Sequence, residues 1–120
     1  MQNSVLKQIY DCLKKDGFEV YFPSQHKGEC NSPYIVVRLA GVYNPLTVSS
    51  ERPLYDILVY VPENRYSILE TMIYDAKQSL KKLYPMIEYN GIETTTYYDE
   101  SVKANMVSFQ YKGIRKKENM

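Results

Sequence analysis

Tryptophan is absent from this 120-residue chain, histidine occurs once and cysteine twice. With a single imidazole, His26, no second histidine is available to any Ser-His or Cys-His system. His26 and Cys30 lie four apart with Glu29 beside them, but a metal site would need two further ligands. No CxxC or Asp cluster supplies them nearby. A Cys-His nucleophile would also need an oxyanion-binding element and a substrate pocket, and the sequence marks neither. The expectation is therefore no catalytic, cofactor-binding or metal-binding residue, and a solvated loop around His26 and Cys30. Two cysteines permit one disulfide. The stretch Met1-Gln-Asn-Ser-Val-Leu-Lys-Gln lacks a signal peptide's apolar middle, so reduced thiols in a cytosolic setting are expected.

Glycine is also sparse, and Gly28, Gly41, Gly91 and Gly113 each stand alone in turn contexts. That excludes the glycine-rich phosphate loops of nucleotide enzymes. No apolar run approaches the roughly 20 residues that cross a bilayer, so no membrane role is expected. Nor is there an excess of one charge: 15 Lys and Arg meet 14 Asp and Glu. A dedicated nucleic-acid domain would carry a clear basic surplus, so no specific nucleic-acid partner is expected. The run Arg115-Lys116-Lys117 reads as a solvated terminal charge cluster. Asp99-Glu100 before Ser101 reads as turn chemistry, not as a catalytic acid pair.

Tyrosine is abundant by contrast, with 13 against 3 phenylalanines. A large apolar ring with a polar tip suits half-buried strand positions and subunit interfaces alike. One domain fits this length, over residues 1–114, with 115–120 as a basic flexible tail.

The element order predicted is α-β-β-β-α-β-β-β, an α+β fold with a mostly antiparallel sheet and two helices on one face. Val5, Leu6, Ile9, Cys12 and Leu13 recur at helical spacing over 4–15, with Asn3 or Ser4 as cap and Gly17 as stop. Strands follow at 19–22, 34–39 and 54–61, the last two joined as an antiparallel hairpin. Leu69, Met72, Ile73, Ala76, Leu80 and Leu83 predict a second helix from about 63 to 84, ended by Pro85. Leu69, Ile73, Ala76 and Leu80 are expected to be buried with Ile9 and Leu13. An Asn90-Gly91 turn predicts a hairpin of 87–89 with 92–98. The final strand covers 102–114.

Particular segments carry a family resemblance. Val20-Tyr-Phe-Pro-Ser-Gln-His-Lys-Gly-Glu-Cys30 with Pro33-Tyr-Ile-Val-Val37 is one; Tyr55-Asp-Ile-Leu-Val-Tyr-Val-Pro62 with Tyr66-Ser67 is another. The third is Asp99 to Tyr111, with Val102-Lys-Ala-Asn-Met106. Across about 5–116 the chain resembles tail terminator, or tail completion, proteins of phages and prophages of Gram-positive bacteria. The resemblance implies a small α+β subunit of a hexameric ring that caps the tail tube and joins it to the head. It implies a place in the virion tail after assembly in the host cytoplasm. Its implied partners are other copies of itself, the tail tube protein and head–tail connector proteins. The family has no catalytic residues to carry over. Other connector parts, a baseplate component, a small cytosolic enzyme using the His26–Cys30 loop, and a nucleic-acid module using the basic tail are the alternatives.

The contact residues expected are our own reading of the chain. The connection 41–53 is long for a hairpin, and Val42, Tyr43, Leu46 and Val48 are too apolar for an idle solvent loop. Tyr43 and Leu46 are the expected anchors, with Tyr60 and Tyr111 on an exposed sheet face as the next candidates.

Overall fold

Ser4 opens the first helix by accepting a bond from the Lys7 amide at 3.1 Å, which satisfies one of the free N–H groups of the first turn. The computed structural model describes residues 4–26, 28–43, 50–113 and 115–116. Helix α1 spans Val5–Lys15 and buries Ile9 and Leu13. It closes at Gly17, whose φ of 98° suits a residue without a β-carbon. There the Gly17 amide bonds the Lys14 carbonyl and the Phe18 amide the Leu13 carbonyl, at 3.1 and 3.2 Å, completing a Schellman closure. Lys82 reaches Asp16 at 2.5 Å and ties this corner to the end of the second helix.

The strands are β1 (Val20–Tyr21), β2 (Tyr34–Tyr43), β3 (Ser50–Pro62), β4 (Ile87–Glu93), β5 (Tyr97–Asp99), β6 (Ala104–Gly113) and β7 (Arg115–Lys116). Helix α2 spans Leu69–Leu80, between β3 and β4. The sheet order is β1-β2-β3-β6-β4, with β5 beside β6 and β7 beside the start of β3. Among the described residues only β1 and β2 run parallel; the other pairs are antiparallel. The fold is α+β with both helices on one face of this mostly antiparallel sheet, in the expected order.

Period-two alternation decides which side chains meet the helices. Ile35 and Val37 of β2, Tyr55, Ile57, Val59 and Val61 of β3, and Val107, Phe109 and Tyr111 of β6 pack with Ile9, Leu13, Leu69, Ala76 and Leu80. Burying each large side chain stabilises by about 1.5–3 kcal/mol, so this layer dominates stability. On the opposite face a smaller cluster of Cys30, Tyr34 and Ala104 is backed by Tyr21, Val36, Tyr60 and Val102. The Cys30 amide bonds the Val102 carbonyl at 2.7 Å. The loop carrying His26 and Cys30 therefore folds onto the sheet, and the expectation of a solvated loop is corrected.

Five further expectations change. The second helix is shorter at both ends: Glu63–Ile68 is a 3-10 segment broken at Arg65 (φ −128°, ψ 33°), and Lys81–Leu83 is another. No residue of Glu63–Ile68 is fully buried and only Ile68 packs in part against the core, so little holds that stretch in regular α-turns. Ile73 packs against the core only in part, while Leu69, Ala76 and Leu80 are fully buried.

The Asn90-Gly91 hairpin does not form. Residues 87–99 instead run along one edge of β6 as an interrupted strand, pairing Ile87 with Gly113, Glu93 with Phe109 and Tyr97 with Met106. Gly91 takes a φ of 79°, and Asn90 donates to Gln110 at 2.7 Å, so the pair makes an irregularity inside β4.

The connection 41–53 is mostly strand. Val42 pairs with Pro53 and Tyr43 with Arg52, so strand pairing leaves only 44–49 between the two partners, and those lie outside the described residues. Arg115 and Lys116 pair with Glu51 and Ser50, so the start of the expected tail is strand. Residues 117–120 lie outside the described residues.

The far ends of β2 and β3 form an arm. β1 pairs only with Ile35 and Val36, and pairing of β3 with β6 stops at Leu54. The register shifts at Ala40, between Leu39 and Gly41. Leu39 then lies opposite Tyr55 and Val42 opposite Pro53, so both share the face the helices occupy further along. The helices do not cover this end, and Leu39 and Val42 are 52% and 44% exposed. The molecule measures 51 × 27 × 25 Å, with a Cα radius of gyration of 15.1 Å. A compact chain of this length would give about 13.6 Å.

Candidate functional site

Among the described residues six tyrosines are exposed: Tyr66, Tyr74, Tyr84, Tyr89, Tyr97 and Tyr98. All belong to α2, the turns flanking it, or the β4–β5 edge. Between α2 and that edge runs a groove of about 750 Å³, walled by Tyr66, Ile73 and Tyr74 on the helical side and by Thr94, Thr95 and Thr96 on the strand side. The threonines fall between β4 and β5, where the Thr94 amide bonds the Ser108 carbonyl at 2.9 Å and the Ser108 amide bonds the Thr94 hydroxyl. The interruption of the edge strand is what opens this wall.

Lys77 forms one end of the groove. Its ammonium lies 2.6 Å from Glu93 Oε1 and sits 4.5 Å over the Tyr89 ring and 5.2 Å over Phe109. Burial pulls its pKa down, but the hydrogen bond and charge of Glu93 outweigh that and raise it. Tyr89 also donates to Glu93 at 3.1 Å. Glu70 lines the same groove, so its remaining formal charge is negative.

The opposite sheet face carries a polar row across four strands. Arg38 donates to Asp56 Oδ2 at 3.0 Å, Gln110 to Asp56 Oδ1 at 3.2 Å, and Asn90 to Gln110 at 2.7 Å. Above it, the His26 ring stacks on Tyr34 with centroids 4.0 Å apart, and Tyr34 stacks on Tyr60 at 4.8 Å. His26 Nδ1 is buried with no hydrogen-bond partner among the described residues. Cys30 Sγ donates to the Ser32 carbonyl at 3.3 Å, and burial, reinforced by the Glu19 charge, pushes the thiol up to about 11. Such a thiol stays protonated at neutral pH and is a poor nucleophile. Asp99 accepts from the Ser101 amide and hydroxyl at 3.0 and 2.6 Å, so it is engaged in its own turn. Among the described residues no group of three or more His, Cys, Asp or Glu side chains could hold a metal ion. No described helix is long and apolar enough to cross a membrane.

The expected contact residues do not converge on one surface. Tyr43 is the last residue of β2; Leu46 and Val48 lie outside the described residues. Tyr60 is half-buried in its stack with Tyr34. Tyr111 is 4% exposed, packed in the main core on the face opposite Tyr60, so its placement on an exposed surface is corrected. The two residues share neither face nor exposure, because 60 pairs with 106 and 55 with 111 in the β3–β6 register.

Sequence reasoning missed Tyr66, Tyr74, Leu39 and the threonine wall. The eight-residue spacing of Tyr66 and Tyr74 would have placed them on one side of a helix. Leu39 gives no signal of its own, since alternation places it on the same face as Ile35 and Val37, which are buried. No protein-family model matches this chain, and no curated protein matches it in sequence.

Proposed function

We propose that this protein is a structural subunit of a phage tail, resembling a tail terminator that forms a ring on the tail tube and joins it to the head. The observation that carries the reading is the concentration of exposed tyrosines, among the described residues, on α2, its flanking turns and the β4–β5 edge, beside an open groove that Tyr66 and Tyr74 line. Tyrosine is favoured at protein interfaces because it adds large contact area for little lost freedom and still satisfies its hydroxyl. The resemblance over about 5–116 supplies the choice of partners: further copies of the chain, the tube protein and connector proteins, in the virion tail. Another head–tail connector or a baseplate component would use the same kind of surface. The small-enzyme alternative is weakened by the protonated Cys30 thiol.

The test is genetic and structural together. Deleting the gene from an inducible prophage should leave tails that fail to join heads, and complementation should restore them. Reconstruction of complemented tails should show this chain as a ring at the head-proximal end of the tube. A single copy per tail, or normal tails without the protein, would defeat the reading. His26→Ala combined with Cys30→Ala should still complete tails; loss of completion by a folded double variant would revive the enzyme alternative.

A further inference from the structure

A second hollow lies where helix α2 ends. The helix stops at Leu80, and a 3-10 turn over Lys81–Leu83 carries the chain to Tyr84 and on to β4, which starts at Ile87. Between that turn and the β4 edge is a pocket of about 340 Å³, at the small end of ligand-sized cavities. Leu80, Ile87 and Tyr111 are buried and form its floor, while Tyr84 and Tyr89 are exposed and stand at its rim.

Two of its polar groups are uncommitted. Glu88 pairs with Lys112 at 3.7 Å and Lys77 is held by Glu93 at 2.6 Å, so both have a counter-charge. The Lys81 ammonium, at the mouth, has none among the described residues. The Tyr111 phenol is the other. Its ring lies against those of Tyr89 and Phe109, at 5.7 and 6.0 Å, yet among the described residues nothing bonds its hydroxyl. Tyr111 is only 4% exposed, but its hydroxyl is not sealed in: His26 Nδ1 is the one fully buried side-chain N or O without a partner among the described residues. The hydroxyl is thus the accessible tip of a buried ring, and the pocket is what it reaches. Burial pushes its pKa up to about 12, so at neutral pH it keeps its proton and can donate.

We propose that this pocket takes a small organic anion whose apolar body, aromatic or branched, carries a hydrogen-bond acceptor at the end remote from its charge. The body lies on Leu80 and Ile87 between the Tyr84 and Tyr89 rings. The acceptor takes the bond from the Tyr111 hydroxyl, and the anion faces Lys81 at the mouth. Selectivity comes from the floor, because a ligand of the same shape without the acceptor would strip water from the phenol and return nothing. The proposal stands apart from the assembly reading and needs no other copy of the chain.

The probe is para-acetylphenylacetate, titrated into the purified full chain at low salt and followed through the methyl resonances of Leu80 and Ile87. The shifts should saturate and stay within residues 77–89 and 111. The para-isopropyl analogue keeps the shape without the carbonyl oxygen. It should bind the wild type about fivefold more weakly and Tyr111→Phe no more weakly than the acetyl compound does. The uncharged amide of the probe should bind the wild type about threefold more weakly, a difference that Lys81→Met removes. Should Tyr111→Phe fail to fold, the acetyl and isopropyl compounds compared on the wild type still decide the matter. Absence of saturable shifts at millimolar probe, shifts centred elsewhere, or an isopropyl or amide analogue that binds the wild type as well as the probe would overturn the proposal. So would an acetyl preference that survives in a folded Tyr111→Phe. The tail role fails separately, through normal tails in the deletion strain, whatever the titration shows.

Discussion

Cys30 and Tyr111 report on the two faces of the sheet through the same physics. Burial pushes Cys30 from an ordinary 9.0 up to about 11 and Tyr111 from 10.0 up to about 12. Both are neutral when protonated, so unfolding exposes groups that ionise more readily. Stability is then fully present below pH 9, falls between 9 and 11 as Cys30 contributes, and falls further between 10 and 12 through Tyr111. Urea midpoints measured from pH 7 to 11 should stay level until about 9 and then decline. A thiol reagent at pH 8 should leave Cys30 unmodified until denaturant is added. Packing offers a second residue-scale test. Ile57→Ala, in a fully buried site, should cost about 2–5 kcal/mol. Ile73→Ala should cost only about 1–2 kcal/mol, because its side chain already borders the open groove. Equal losses in urea titrations would place Ile73 in the core after all.

Elements whose stop and start signals are local were legible in the sequence; those settled by distant partners were not. Helix α1 has a serine cap three residues before the amide it satisfies and a glycine where the chain must turn left-handed. Ser4→Ala should cost about 0.5–2 kcal/mol, and Gly17→Ala about 1–2 kcal/mol from its positive φ. Both are measurable as shifts of a thermal unfolding transition. The face of β3 was equally legible, since Tyr55, Ile57, Val59 and Val61 alternate without interruption. The Asn90-Gly91 pair misled because a two-residue turn competes locally, whereas a ten-residue β6 edge offers pairing along most of 87–99. The candidate site suffered most from this limit. Its groove exists only because α2 is brought beside an edge strand that is interrupted at Thr94–Thr96, and neither fact is local. Tyrosine content pointed to contact surfaces, yet not to which tyrosines, because burial separates Tyr111 from Tyr89 although they are cross-strand neighbours.

At the scale of the whole molecule, an arm at one end and an open groove on one flank make the shape polar. Small-angle scattering in dilute, high-salt solution should match an elongated particle with dimensions near 51 × 27 × 25 Å. Ala40 bears on where the arm points. One inserted residue sets the phase of everything after it in β2, as a skipped tooth does on a zip, and it is what brings Val42, three residues on, back to the face of Leu39. Deleting Ala40 would leave Leu39 and Val42 two apart and still on one face, but would remove the bulge and the local bend and added twist that go with it. The direction in which the arm projects is therefore encoded in the length of a strand as much as in its letters, and a single-codon deletion would re-aim it without changing which side chains it shows.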